Sequence, residues 1–159
     1  NTLCVSLWHI LQVRLREVYV MFIGTYQHNI DAKGRVIIPA KFREELGDSF
    51  YVTKGLNNCL FVLSAEQWSL FLEKLSSQPI SKATNIARFF CAGAAEAVPN
   101  AQGRVLIPDT LRKYANLDKD VTVIGSGNRV EIWNTDSWND YLSAQNQSSI
   151  LDAMELLGI

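Results

Sequence analysis

Arg35 and Arg104 each follow a glycine at the end of a short polar turn, in DAKGR at residues 31–35 and NAQGR at residues 100–104. The first residue of such a turn, Asp31 or Asn100, can accept a hydrogen bond from the backbone two positions on. Gly34 and Gly103 take the backbone conformation that a side chain resists. An arginine leaving so stiff a bend does so in a fixed direction. Its guanidinium then suits phosphate or the O6/N7 edge of guanine. Lys33 adds a charge two residues before Arg35, and Arg43, Arg112 and Lys113 follow on adjacent short helical segments. The chemistry on offer is anion recognition.

A structural role competes with this reading, because Arg35 can simply pair with Asp31 or cap a carbonyl. The recurrence of Gly-Arg in both halves favours function: the fold alone explains the Gly and Pro better than an Arg at the mouth of a strand. No catalytic constellation accompanies the turns. The sequence has no GxSxG, Walker loop, GxGxxG or HExxH. His28 beside Asn29 and Asp31 is the nearest approach to an acid/base cluster, but side chains alternate across a strand, so it reads as a surface polar residue. His9 and His28 have no Cys or acidic neighbours at ligand spacing. The expectation is a non-enzyme with no catalytic residues, no metal and no cofactor.

Any anion site must be a local patch, since the formal net charge is −1 and the isoelectric point about 6.1. Hydrophobic content of 48% with 19% charged residues is that of a globular chain. Cys4, Cys59 and Cys91 are odd in number and widely spaced, which fits a reducing cytoplasm better than a disulfide framework. The apolar run from Leu3 to Val13 is shorter than the ~20 residues that span a bilayer. Arg14 and Arg16 follow that run instead of preceding it, so it does not read as a secretory signal. Residues 1–20 read as a leader extension outside the fold.

The elements that must hold the turns are duplicated too. Residues 31–43 and 100–112 are identical at seven of thirteen positions. GLNNCLFVLSAEQWSLFL at 55–72 then corresponds to GSGNRVEIWNTDSWNDYL at 125–142. In the first half, MFIGTYQHNI reads as a strand, DAKG as a turn and RVIIP as a short strand whose proline opens a helix. Phe42 and Leu46 share a face of that helix, leaving Lys41 and Arg43 free to point elsewhere. SFYVTKG and NCLFVLS read as a hairpin joined at residues 55–58. Ser64 with Gln67 forms a capping box ahead of a helix whose face carries Trp68, Phe71, Leu72 and Leu75. The second half repeats the order with DVTVIG, RVEIWN and a helix bearing Trp138, Tyr141 and Leu142; Trp68 and Trp138 read as core. A helix from about Ser81 links the halves, and SSILDAMELLGI forms an amphipathic tail.

Each half is too small to bury a core alone. The halves must pack together, their hairpins paired or interleaved into one barrel-like sheet about a pseudo-twofold axis. The expected class is α+β, mostly β. The expected divisions are residues 1–20, 21–78 for the first repeat, 79–93 for the connecting helix, 94–142 for the second repeat and 143–159 for the tail helix.

MFIGTYQHNIDAKGRVIIPAKFR from Met21, the second QGRVLIP, and VTVIGSGNRVEIWNTDSWNDY resemble the MraZ family of bacterial transcriptional regulators, over about residues 21–142. The resemblance implies two tandem SpoVT/AbrB-like swapped-hairpin domains forming a pseudo-dimeric barrel within one chain. It also implies a homo-oligomeric ring that binds direct repeats in double-stranded promoter DNA of the division and cell-wall gene cluster. The family's DxxxR motifs contact DNA, and fall here on Asp31, Lys33, Gly34 and Arg35, and on Asn100, Gly103 and Arg104. Asn100 departs from the family's Asp and cannot hold an arginine by charge, so Arg35 is favoured over Arg104. The implied setting is cytoplasmic and nucleoid-associated, with no membrane or small-molecule partner. The alternative is an oligomeric protein-interaction scaffold or antitoxin-like module.

Overall fold

The computed structural model describes residues 21–159. The expectation for residues 1–20, with Cys4 and His9, lies outside the described residues. The described strands are β1 (Phe22–Asn29), β2 (Arg35–Ile37), β3 (Phe50–Lys54), β4 (Leu60–Ser64), β5 (Ala95–Ala97), β6 (Arg104–Leu106), β7 (Asp120–Gly127) and β8 (Val130–Asn134). The helices are α1 (Ala40–Leu46), α2 (Ala65–Ser76), α3 (Ile80–Cys91), α4 (Asp109–Tyr114), α5 (Thr135–Ala144) and α6 (Gln147–Leu157).

Six strands form one antiparallel sheet in the order β1-β7-β8-β4-β3-β5, and β2 pairs with β6 as a separate antiparallel ribbon. The halves interleave. β1 of the first lies against β7 of the second, β5 of the second closes the opposite edge against β3, and the ribbon takes one strand from each. The expected barrel is not closed, because β1 and β5 remain edges. The reason lies in the turn: at Ile30, which bridges to Val36, the chain leaves the sheet and is diverted into the ribbon. β5 has only three residues with which to continue a ladder.

The ribbon packs over one face of the sheet. Val36 and Val105, opposite each other in it, are fully buried with Ile38 and Ile107, in one core with Phe22, Phe50, Val52, Leu60, Val62, Val121, Val123 and Ile132. α1 and α4 close that core. Phe42 and Leu46 sit on the same side of α1 four residues apart, both buried, and Leu111 is the buried residue of α4. Phe42 meets Phe22 and Tyr26 edge-on at centroid distances of 5.8 and 5.2 Å, a geometry that adds about 0.5–1.5 kcal/mol per pair beyond the area buried. Pro39 and Pro108 occupy the N-caps of α1 and α4, and the Pro39 carbonyl accepts from the amides of Phe42 and Arg43. This is the helix opening read from the sequence, displaced by one residue.

The opposite face is aromatic. Trp68 of α2 is buried and stacks on Tyr51, while Trp138 of α5 is only half-buried against Trp133 and Tyr141. The expectation that both tryptophans are core thus holds fully for Trp68 alone; α5 has no buried residue. At the start of α2, Ser64 Oγ accepts from the Gln67 amide at 3.2 Å, the N-terminal cap expected there.

Candidate nucleic-acid interface

The two glycine turns have the same backbone. Asp31 Oδ1 accepts from the amides of Lys33 and Arg35, both at 2.9 Å. Asn100 Oδ1 accepts from those of Gln102 and Arg104 at 3.0 and 2.9 Å. Gly34 and Gly103 lie at φ of 79° and 78°, the left-handed region open to glycine, and each donates its N–H to the carbonyl of its own Asp31 or Asn100 at 2.9 Å. The sequence reading of both bends is correct down to the bond.

The ribbon brings the bends together. Arg35 stands opposite Leu106 and Arg104 opposite Ile37. With Val36 and Val105 turned to the core, all four occupy the outer face. Arg35 and Arg104 are therefore diagonal neighbours, about 7–8 Å apart at the backbone. Residues 31–43 and 100–113 together carry seven cations, Lys33, Arg35, Lys41, Arg43, Arg104, Arg112 and Lys113, against two carboxylates, Asp31 and Asp109. A chain of net charge −1 thus gathers a local basic surface around the ribbon.

The two arginines differ in what holds them. Arg35 Nε donates to Asp31 Oδ2 at 2.7 Å with both side chains 30% exposed. The structural pairing anticipated for Arg35 is real, yet it engages only Nε and leaves the outer edge of the guanidinium to solvent or ligand. The Arg35 amide, then its side chain and the Lys33 amide, hold the Asp31 carboxyl below the usual carboxylate range. Arg104 faces an amide where Arg35 faces a carboxylate, and has no ion-pair partner among the described residues.

Each turn is also held by the opposite repeat, which the sequence reading missed. Ile107 N donates to Gly34 O and Ile38 N to Gly103 O, both at 3.0 Å. Arg112 lies over Gly34 and Arg43 over Gly103, so closely that a Cβ on either glycine would sit 2.6 Å from the guanidinium carbon. Arg43 was expected to point freely; instead it folds back half-buried, donating from Nε to Ile38 O at 3.0 Å. Arg112 keeps a weaker contact to Asp109 at 3.5 Å, and its buried Nε has no hydrogen-bond partner among the described residues. The signal was present: these arginines are the last identical pair of the thirteen-residue repeat.

A shallow hollow beside the ribbon is lined by His28, Asp31, Arg35, Arg104 and Asp120. His28 is half-buried, not a plain surface residue, and burial lowers its pKa, favouring the neutral ring at pH 7. Burial pushes the Cys59 thiol up to about 12, which keeps it protonated. Among the described residues no cluster of His, Cys, Asp or Glu could hold a metal ion, and no helix is long and apolar enough to cross a membrane.

Fold and site together define a protein built from two interleaved copies of one strand–turn–strand–helix unit, with a basic turn from each copy meeting on a shared ribbon. The family model described as "MraZ protein, putative antitoxin-like" matches twice, at residues 21–88 and 90–157. Proteins named transcriptional regulator MraZ are similar over most of their length. That of Acetivibrio thermocellus is 53% identical, covering 87% of this chain and 100% of the relative. That of Halothermothrix orenii is 50% identical over the same shares, and that of Carboxydothermus hydrogenoformans 54% identical over 76% of this chain and 86% of the relative. The chain belongs to the MraZ family.

Proposed function

We propose that this protein is a DNA-binding transcriptional regulator, not an enzyme, whose paired Gly-Arg turns grip the promoter. The observation that carries the reading is the diagonal placement of Arg35 and Arg104 on one outward ribbon face, with Lys33, Lys41, Arg43, Arg112 and Lys113 in the flanking turn and helices against the carboxylates of Asp31 and Asp109. The relatives' shared name supports it. Arg35, aimed by Asp31, reads a guanine edge or holds a phosphate; Lys33 and Arg104 add phosphate contacts; Gly34 and Gly103 let the backbone approach. In this reading residues 21–78 and 94–142 are SpoVT/AbrB-like swapped-hairpin repeats, with 79–93 as connector and 143–159 as tail. Several chains assemble into a ring, so that many weak turns engage direct repeats of the division and cell-wall promoter by avidity. The working place is the cytoplasmic nucleoid.

The test is a gel shift with duplex from upstream of the protein's own gene at several salt concentrations. Each neutralised phosphate steepens the log–log salt dependence by about 0.9. Binding that ignores salt, or survives Arg35→Ala unchanged, rejects the assignment. A second reading, an antitoxin-like module that binds protein through the same surface, draws on the family's printed description. It gains if the duplex fails to bind at any salt.

A further inference from the structure

Leu106 is out of keeping with the outer face of the ribbon. Two of the four residues there are arginines, and Ile37 is half-buried along the wall of the hollow that holds His28 and Arg104. Leu106, the counterpart of Ile37 in the repeat, is 61% exposed. A single exposed leucine is ordinary on a protein surface. This one stands on a paired strand in the middle of a basic face, and its side chain carries no donor with which to hold a phosphate.

The ladder fixes its place beside Arg35. The bonds from Ile107 N to Gly34 O and from Ile38 N to Gly103 O run between the residues that flank the Arg35–Leu106 and Ile37–Arg104 pairs, not within those pairs. Opposite residues of this kind lie about 4.5 Å apart at Cα, and their side chains are closer than in the hydrogen-bonded pairs. That separation is comparable to the step of about 3.4 Å between successive bases of one DNA strand. A two-stranded ribbon fits the major groove, where the apolar group on offer is the thymine C5-methyl. Leu106 therefore has a partner in the groove of the kind that Arg35 has in the guanine edge.

We propose that Leu106 determines sequence specificity by packing on the C5-methyl of a thymine in the base pair next to the guanine held by Arg35. The inference rests on the promoter reading above. Arginine aimed by Asp31 and exposed leucine act as one reading head; Arg104 and half-buried Ile37, in the matching place, do not form a second.

The experiment is a uracil scan. Each thymine of the duplex footprinted upstream of the protein's own gene is replaced singly by deoxyuridine, which removes the methyl and keeps the base pairing. Binding of the full chain is read by fluorescence anisotropy, with circular dichroism as the fold control. At a thymine flanked by guanine the replacement weakens the wild type about fourfold, the effect of one buried methyl. Leu106→Ala binds the unaltered duplex more weakly and no longer distinguishes thymine from uracil there, whereas Leu106→Met keeps the distinction. A wild type that binds the duplex but is indifferent to uracil at every position overturns the proposal and leaves the promoter reading standing. So does a folded Leu106→Ala that still discriminates, the result expected if the leucine packs against another protein. A wild type that binds no duplex at any salt rejects the promoter reading, and the leucine contact with it.

Discussion

The turns at Asp31 and Asn100 share one backbone and differ in two side chains, Asp31 against Asn100 and Lys33 against Gln102. Their glycine φ angles differ by a degree and their Asx bonds by at most 0.1 Å. Only the first, however, has a second carboxylate oxygen to hold its arginine, at 2.7 Å. Backbone geometry is therefore set by the acceptor that Asp and Asn share, and arginine posture by the charge they do not share. A duplicated bend can keep its shape while its two arginines take different tasks: Arg35 aimed, Arg104 loose.

Breaking both sides at once is expected to have the largest effect. Arg35→Ala with Arg104→Ala abolishes duplex binding in a gel shift while leaving the melting curve near wild type, since neither side chain is in the core. Taken singly, Arg35→Ala is the more harmful, costing about 1–3 kcal/mol per specific contact and relaxing sequence preference. Arg104→Ala weakens all sequences evenly and flattens the salt slope. Equal losses of preference would erase the distinction between the turns.

The glycines test the part of the comparison that is symmetric. Gly34→Ala and Gly103→Ala each force a side chain into the left-handed region, at about 1–2 kcal/mol, and displace an arginine of the other repeat. Thermal unfolding should show two similar decrements. A large decrement at one glycine only would mean that the turns are not equivalent supports.

Exchanging the variable residue sharpens the contrast further. Asp31→Asn keeps the Asx bonds and frees Arg35, so a small change in stability should accompany a measurable loss of sequence preference. Asn100→Asp should give Arg104 a partner and raise preference.

The smallest effect is on pH. The Asp31 carboxyl titrates below its ordinary range in the folded chain, so its contribution is complete above the unfolded value of about 3.9 and is lost as pH falls through the lower folded value. Below about pH 4 the Lys33 and Arg35 amide resonances should shift by NMR, while those of Gln102 and Arg104 stay still. A titration in both turns would place the responsible group elsewhere.

What the sequence disclosed follows the range of the forces involved. The bends, the short strands and the Ser64 cap depend on residues a few positions apart, and they stand where local pattern puts them. The open edge at β1 was hidden because it turns on which distant strand pairs with which, something a period of two does not encode. Arg43 escaped for a similar reason: local spacing separates it from the face of Phe42, and only the other repeat supplies the glycine it covers. Trp138 carries the same helical spacing as Trp68, yet it is half-buried on a helix with no buried residue, a difference that spacing along one helix does not encode.

The interleaved strand order also bears on how the chain is made. β1 and β2 leave the ribosome early, yet their ladder partners β7 and β6 belong to the second half. The nascent first half must wait with those two strands unpaired, a slow topology that favours chaperone shelter during synthesis.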